Sequence, residues 1–283
     1  MHPDLTVDIL IGTTRQNTGN LAVAVLGLTA TAYLIVRAEK ERRRKGSAAL
    51  WLLLAASVVT CLADAGARML IGLQADPGAN SLVMYRAFGI DMAIWMAFAF
   101  PPYVGFIGYT TYLVYRERRA PRTLWTILVV SAVADTVGEY IMIHAGQLYS
   151  YTGRQPLELF GLPLVWPWVI VAAPMLMGAL TALFADQLRG LRSLLLLPLL
   201  GSGYLACLSA VGWPGMVARA TAVDQLTLDL LGLVTLGGLL ATLHLMTLLV
   251  PDAASSLDPA APHTPGAPAG PPTHHPDQPR HPI

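Results

Sequence analysis

Long apolar stretches dominate this chain and restrict the class of fold that it can adopt. Hydrophobic residues make up 54% of its 283 positions and charged residues only 12%, about half the charged share of an ordinary soluble domain. About 20 helical residues cross the hydrocarbon core of a bilayer, and the stretches are of that length. The predicted spans are 20–37, 49–73, 87–114, 124–145, 164–185, 194–213 and 226–250. We therefore predict an all-α polytopic membrane protein, a seven-transmembrane helix bundle at 20–250.

Basic residues are concentrated in alternate loops between these spans. The loops after the first, third and fifth spans hold 12 of the 18 Lys and Arg residues. The positive-inside rule then places the N-terminus outside the plasma membrane and the C-terminus in the cytoplasm. The first 19 residues are polar and acidic and lack a basic leader. We therefore predict a retained extracytoplasmic segment at 1–19 and no cleaved signal peptide.

Residues 251–283 differ in character from the rest of the chain. They are dense in proline, carry four histidines and show no apolar periodicity. Such a segment cannot bury enough apolar surface to offset the entropy cost of ordering. We predict a disordered cytoplasmic tail that is dispensable for activity.

Ionisable residues inside the predicted spans are the main functional signal. A charge at the centre of a bilayer costs about 2.5–3.5 kcal/mol on insertion scales, so such residues are usually paired and often functional. With the predicted topology, six of them share the outer half of the bundle and indicate one polar pocket. They are Asp64, Arg68, Asp91, Asp135, Glu139 and Asp229.

The spacing of these residues refines this hypothesis. Asp135 and Glu139 are four residues apart and therefore lie on one helix face. Two close carboxyls in a low dielectric do not both ionise easily, and a protonated acid beside a carboxylate is suited to general acid–base catalysis. Asp64 and Arg68 either pair with each other, or Arg68 holds a carboxylate of the fourth span ionised. The alternative to catalysis is an ion-pair network that fixes helix packing. Asp91 and Asp229 are weaker candidates, since an acid in the first turn also stabilises a helix N-terminus.

The loop after the fourth span is long and rich in aromatic residues. Gly153, Gly161 and Pro163 would let it fold back over the pocket as a lid. An interfacial aromatic belt is the alternative explanation for its tryptophans. The predicted substrate-binding residues are Arg68, Asp91, Trp95, Tyr149, Tyr151, Arg154, Trp166 and Asp229.

Several classes of site are disfavoured. The seventh span lacks lysine, which excludes a retinal Schiff base, and His144 and His244 lie at opposite faces of the membrane. That separation argues against a bis-histidine haem and a three-histidine zinc site. We predict no cofactor and no metal, although a site made of carboxylates alone stays open. The net charge of +1 gives no reason to expect a nucleic-acid partner.

Residues 139–174 carry a recognisable order of residue types: Glu139, then Gly-x-x-Tyr-x-Tyr, Gly-Leu-Pro, and finally Trp and Pro. This order resembles a pattern in actinobacterial multipass membrane proteins, namely spirocyclase-type proteins of polyketide pathways and carotenoid hydratase-type proteins. The resemblance implies acid–base chemistry on a lipophilic product, with Glu139, Tyr149 and Tyr151 in the matched positions.

The favoured hypothesis is a cofactor-independent membrane enzyme of secondary metabolism. It would cyclise, hydrate or isomerise a lipophilic terpenoid- or polyketide-like substrate that enters from the lipid bilayer. Glu139, Asp135 and Asp64 are the predicted catalytic residues, and either Asp64 or Asp91 would take back the proton. A proton-coupled transporter or lipid-binding membrane protein is the alternative. A structural membrane subunit that needs a partner is a third possibility.

Overall fold

The computed structural model describes residues 3–75, 82–187, 190–221 and 223–251, and side chains from residue 17 onward. This part of the chain is mostly helical, with six helices long and apolar enough to cross a membrane. The predicted all-α polytopic membrane architecture is confirmed at this level. The predicted tail, apart from Pro251, lies outside the described residues.

The helices follow the predicted spans closely in most places. Their bounds are α1 (Pro3–Lys45), α2 (Ala49–Ile71), α3 (Met96–Phe100), α4 (Phe106–Arg116), α5 (Arg122–His144), α6 (Val165–Phe184), α7 (Leu196–Ala220) and α8 (Gln225–Leu248). A 3₁₀-helix at Gly190–Leu195 precedes α7, and a π-helix at Pro101–Gly105 joins α3 to α4. The first helix is much longer than expected, because it runs through most of the predicted segment 1–19. Its span-forming part is Asn17–Lys45.

The start of the third predicted span is wrong. Strands β2 (Val83–Ala87) and β3 (Ile90–Ala93) form an antiparallel hairpin there, and the helix begins only at Met96. Phe88 and Gly89 make the turn with φ of 54° and 75°. Two successive positive φ angles give a tight turn whose twist matches the paired strands, and a helix cannot include them.

The expected distortion at Pro101-Pro102 takes the form of the π-helix. Neither proline has a backbone N–H to donate, so the regular helical hydrogen bonds cannot continue through this point. The wider π-turn accommodates the interruption, and the helical run continues from Met96 to Arg116.

The bundle has two chemically different ends. Three short strand pairs lie at one end, which we call the strand end: β1 (Leu73–Ala75) with β4 (Tyr149–Tyr151), β2 with β3, and β5 (Glu158–Leu159) with β6 (Leu162–Pro163). The opposite end, which we call the basic end, holds the ends of α1 and α4 and the start of α5. Its basic residues include Arg42, Arg43, Arg44, Lys45, Arg116, Arg118, Arg119 and Arg122.

Helix α6 forms the centre of the bundle and packs on α4, α5, α7 and α8. Its contact with α4 depends on two glycines. A Cβ atom added to Gly178 would clash with the carbonyl oxygen of Gly108, so the two helices meet backbone to backbone. Larger side chains at these two positions would force α4 and α6 apart.

Candidate functional site

A cavity of about 230 Å³ lies inside the bundle near the strand end. Side chains from α1, α2, the run from α3 through the π-helix, α5, α6, α7 and β4 line it. Six predicted site residues come together there: Asp64, Arg68, Trp95, Asp135, Glu139 and Tyr149. Apolar side chains form most of the remaining wall, including Met96, Phe100, Met142 and Ile170. The cavity therefore combines a lipophilic interior with a few ionisable groups.

Asp64 and Arg68 pair with each other, which selects one of the two arrangements that the sequence left open. Arg68 Nε donates to Asp64 Oδ2 at 2.7 Å, and both residues are buried. They stand one turn apart on α2, so the helix itself sets the geometry. The Arg68 guanidinium also lies 5.5 Å from the ring centroid of Tyr149, within range of a cation–π contact.

The two carboxyls of α5 reach the cavity without a cation of their own. Among the described side chains that line the cavity, Arg68 is the one cation, and its ion pair is with Asp64. Glu139 is buried and accepts from the Tyr151 hydroxyl, which lies 3.0 Å from each carboxylate oxygen. Tyr151 therefore reaches Glu139 from β4, although it is not itself among the lining residues.

Asp135 stands one turn before Glu139 and faces Tyr103 of the π-helix. The Tyr103 hydroxyl and the Asp135 carboxyl are close enough to act as hydrogen-bond partners of each other. The geometry of this contact is poor, however, and among the described residues neither Asp135 Oδ2 nor Tyr103 Oη makes a well-formed hydrogen bond, although both atoms are buried. Most buried polar atoms in native proteins are paired, so this pair has unused hydrogen-bonding capacity next to the cavity.

Two tyrosines of the site were not predicted. Tyr103 follows Trp95 by about two helical turns, and that spacing was a usable signal for a shared face. Tyr204 of α7 also lines the cavity, and its hydroxyl donates to Asp64 Oδ1 at 3.4 Å. Nothing in the sequence near Tyr204 indicates this contact, because it joins residues 140 positions apart.

The long loop, residues 145–164, contributes Tyr149 to the cavity wall, and many contacts hold it in place. Strand β4 pairs with β1, which directly follows α2, and this pairing places Tyr149 opposite Ala75. Gln155, which is fully buried, donates to the carbonyl of Ile71 at 3.2 Å. Gly153 and Gly161 adopt positive φ angles of 72° and 73°, which glycine reaches at little cost. This loop is thus tied to the end of α2, and we call residues 145–164 the cap.

Trp166 has neither of the roles considered from the sequence. It is fully buried in the bundle and donates through Nε1 to Gln155 Oε1 at 3.0 Å. It does not lie in an exposed aromatic belt, nor is it among the residues that line the cavity. Its contact with Gln155 instead helps to fix the cap.

Asp91, Arg154 and Asp229 also lie away from the cavity. Asp91 is on the β2–β3 hairpin and pairs with Arg86, which lowers the pKa of the Asp91 carboxyl. Arg154 is exposed and donates to the carbonyl of Val223 at 3.3 Å. Asp229 accepts from the backbone N–H of Leu157 at 2.7 Å and so anchors the loop.

The start of α8 also differs from the expectation. Asp224, and not Asp229, caps this helix by accepting from the backbone N–H of Thr227 at 3.0 Å. Hydrogen bonds from the Thr227 side chain and backbone lower the pKa of the Asp224 carboxyl. Asp229 is consequently available to hold the loop.

The described residues include no group of three or more His, Cys, Asp or Glu side chains arranged to hold a metal ion. The side chains that line the cavity carry carboxyl, guanidinium, hydroxyl and aromatic groups.

Comparison with protein-family models, curated proteins and solved structures gave no match. The resemblance to spirocyclase-type and carotenoid hydratase-type proteins therefore stays a prediction, and the cavity itself carries the functional argument.

Proposed function

We propose that the protein crosses the plasma membrane seven times, with its N-terminus outside and its C-terminus in the cytoplasm. The span that adds to the six long apolar helices is the third in chain order, the run from Met96 to Arg116, which α3, the π-helix and α4 form together. At 1.5 Å per residue its 21 residues extend about 30 Å, the thickness of the hydrocarbon core. The orientation follows from the clustering of basic residues at the basic end.

Cysteine labelling in intact cells tests this topology. Ser150 lies exposed at the strand end and Ala120 lies exposed at the basic end. We expect a membrane-impermeant maleimide to label S150C in intact cells and A120C only after permeabilisation. The two native cysteines, Cys61 and Cys207, are buried and provide a low background. Labelling of A120C in intact cells would reverse the orientation.

We infer that the cavity is the active site of a membrane enzyme that rearranges a lipophilic substrate by acid–base catalysis. The observation that carries this proposal is the Asp135–Glu139 pair, which faces a largely apolar cavity without a cation of its own. Burying both groups as carboxylates would be very costly, so at least one is protonated when the site is ready for substrate. That arrangement provides an acid and a base one helical turn apart.

The reaction follows from these positions. The protonated carboxyl transfers its proton to an alkene, epoxide or ketal oxygen of the substrate, and a cationic intermediate forms. The rings of Trp95, Phe100 and Tyr149 line the cavity and stabilise positive charge through their faces. In a cyclisation or hydration, an internal nucleophile or water then bonds to the cation and gives its proton to the neighbouring carboxylate. In an isomerisation, that carboxylate instead takes a proton from a carbon next to the cation, and the C–H electron pair forms the new double bond. Cyclisation and isomerisation leave the atomic composition unchanged, and hydration adds one water.

Asp135 and Glu139 exchange the proton in this scheme, and Asp64 and Asp91 do not. Asp64 is occupied by its ion pair with Arg68, and Asp91 by its ion pair with Arg86 on the hairpin. Arg68 instead places positive charge beneath the Tyr149 ring and fixes the wall of the cavity. The role of Arg68 is thus positioning.

The packing favours an enzyme over the alternative of a proton-coupled transporter. A transporter needs a route from its binding site to both faces of the membrane. Here Gly108 and Gly178 bring α4 and α6 into backbone contact on the basic-end side of the cavity. Strand pairing and Gln155 tie the loop to the end of α2 at the strand end. These fixed contacts favour a rigid site over one that alternates between the two faces.

Metabolite analysis of a deletion strain tests the proposal directly. We expect the strain to accumulate a lipophilic compound that membranes containing the protein convert without an added cofactor. The product should have the same mass as the compound, or that mass plus one water. A change in redox state, or substrate-dependent proton flux in liposomes without conversion, would contradict the proposal.

A further inference from the structure

A second depression lies on the lipid-facing side of the same site. It is a groove of about 300 Å³ between the run from α3 to α4 and helix α5. Pro102, Tyr103 and Ile107 form one wall, and Ser131, Ala134, Asp135 and Gly138 form the other. We call this depression the lateral groove.

The lateral groove is placed to receive a molecule from the bilayer. Helix α5 carries exposed valines beside it, with Val130, Val133 and Val137 each more than half exposed. The α5 wall consists of small side chains, and a Cβ added to Gly138 would meet no atom within 4 Å. The helix surface is therefore apolar around the groove and recessed within it.

Tyr103 and Asp135 belong to both the lateral groove and the inner cavity. They are half-buried and form the wall between the two spaces. Tyr103 Oη and Asp135 Oδ2 are buried near each other, and neither makes a well-formed hydrogen bond among the described residues. A ligand oxygen between them would give each atom a well-formed hydrogen bond.

The size of the inner cavity also supports a ligand that extends into the lateral groove. Its volume of about 230 Å³ is below the roughly 300–1,000 Å³ typical of sites that bury a whole drug-sized ligand. The cap is tied down at the strand end, whereas the lateral groove shares Tyr103 and Asp135 with the cavity, so the side of the bundle offers an approach. The π-helix forms part of that side, and such segments often occur at functional sites.

We propose that the lateral groove binds the apolar chain of an amphiphilic substrate, whose oxygen-bearing head lies between Tyr103 and Asp135. The substrate class is a lipid-soluble chain that ends in a hydroxyl, carbonyl or epoxide group. Tyr103 donates a hydrogen bond to the head, and the Asp135 carboxyl donates or accepts one. The chain stays in the groove while the head reaches Glu139. The chemical fate of the head rests on the proposed acid–base function. The binding of the chain in the groove does not depend on that function.

Photo-crosslinking with farnesol that carries a diazirine group tests the binding. Membranes with the full-length protein are irradiated with the probe, and the labelled peptides are identified by mass spectrometry. We expect labels on the peptides that contain Tyr103, Ile107 and Gly138. G138L and A134L fill the groove and should reduce labelling by about tenfold or more. V137L, on the exposed face of the same helix, is the matched control and should label like the wild type.

A second probe separates a specific site from ordinary contact with lipid. The matching hydrocarbon with the diazirine but without the hydroxyl should label the groove far more weakly, and Y103F, which removes the hydroxyl that donates to the head, should reduce the difference between the probes. Equal labelling by both probes would show that the groove is a generic lipid contact and would overturn the proposal. Unchanged labelling in G138L and A134L, with both variants folded, would also overturn it.

The binding result is independent of catalysis. E139Q should retain labelling of the groove, because Glu139 is not part of its wall. Specific labelling in a protein that converts no substrate would support the groove while contradicting the proposed reaction. Conversion that is unaffected by G138L and A134L would support the reaction while contradicting the groove.

Discussion

Replacing Glu139 with glutamine is expected to lower the rate of substrate conversion by about 10²-fold or more, because general acid–base catalysis contributes about 10²–10⁴-fold. The amide has nearly the shape of the carboxyl and still accepts a hydrogen bond from Tyr151. The fold should therefore survive, and only the exchangeable proton is lost. The measurement is the conversion rate in membranes with equal amounts of protein. D135N is expected to behave in the same way.

Glu158→Gln is the matched control for this substitution. Glu158 lies exposed on β5, outside the cavity wall, so the same chemical change should leave the rate unchanged. Full activity of E139Q would remove Glu139 from the mechanism. Failure of E139Q to fold would support a structural ion-pair or hydrogen-bond network, the alternative that the sequence left open.

Breaking the Asp64–Arg68 pair is expected to have the largest effect on stability. D64N leaves the Arg68 guanidinium buried without a counterion, and removal of one partner from such a pair typically costs about 3–5 kcal/mol of unfolding free energy. R68M should be similarly destabilising. The double variant D64N/R68M should be milder than either single variant, because no uncompensated charge remains. Thermal unfolding in detergent measures all three.

The exposed Arg86–Asp91 pair is the control for this stability prediction. Its Arg86 side chain is 70% exposed, so D91N should shift the unfolding midpoint little. If D64N kept wild-type stability but lost activity, Asp64 would have the catalytic role predicted from the sequence, and the structural role assigned here would be wrong.

The pairing of Asp64 with Arg68 shows how much local spacing can predict. Residues four apart on a helix are neighbours whatever the rest of the fold does, so the contact was one of two expected arrangements. The same reasoning placed Asp135 and Glu139 on one face. In contrast, the spacing gave no information on Asp91, because a hairpin with a positive-φ turn replaced the expected first turn of a helix.

Depth in the membrane was a weaker guide than helix spacing. Asp91 and Asp229 fall at the same predicted level as the cavity, but they serve the hairpin and the loop. Rotation of each helix about its own axis decides whether a side chain faces the cavity, and that rotation depends on packing against neighbours. Trp166 illustrates the point, since it turns inward to Gln155 and away from the interface.

The sequence by itself determined the elements that depend on length, composition and local spacing. These are the membrane-spanning helices, the distortion at Pro101-Pro102, and the two pairs four residues apart on α2 and α5. Only the tertiary structure decided that both pairs line one cavity and that Tyr103 and Tyr204 line it with them. It also decided that Gln155 fixes the cap. Contacts such as that between Tyr204 and Asp64 join residues far apart in the chain. They depend on the packing of whole helices, and no local pattern of residues encodes them.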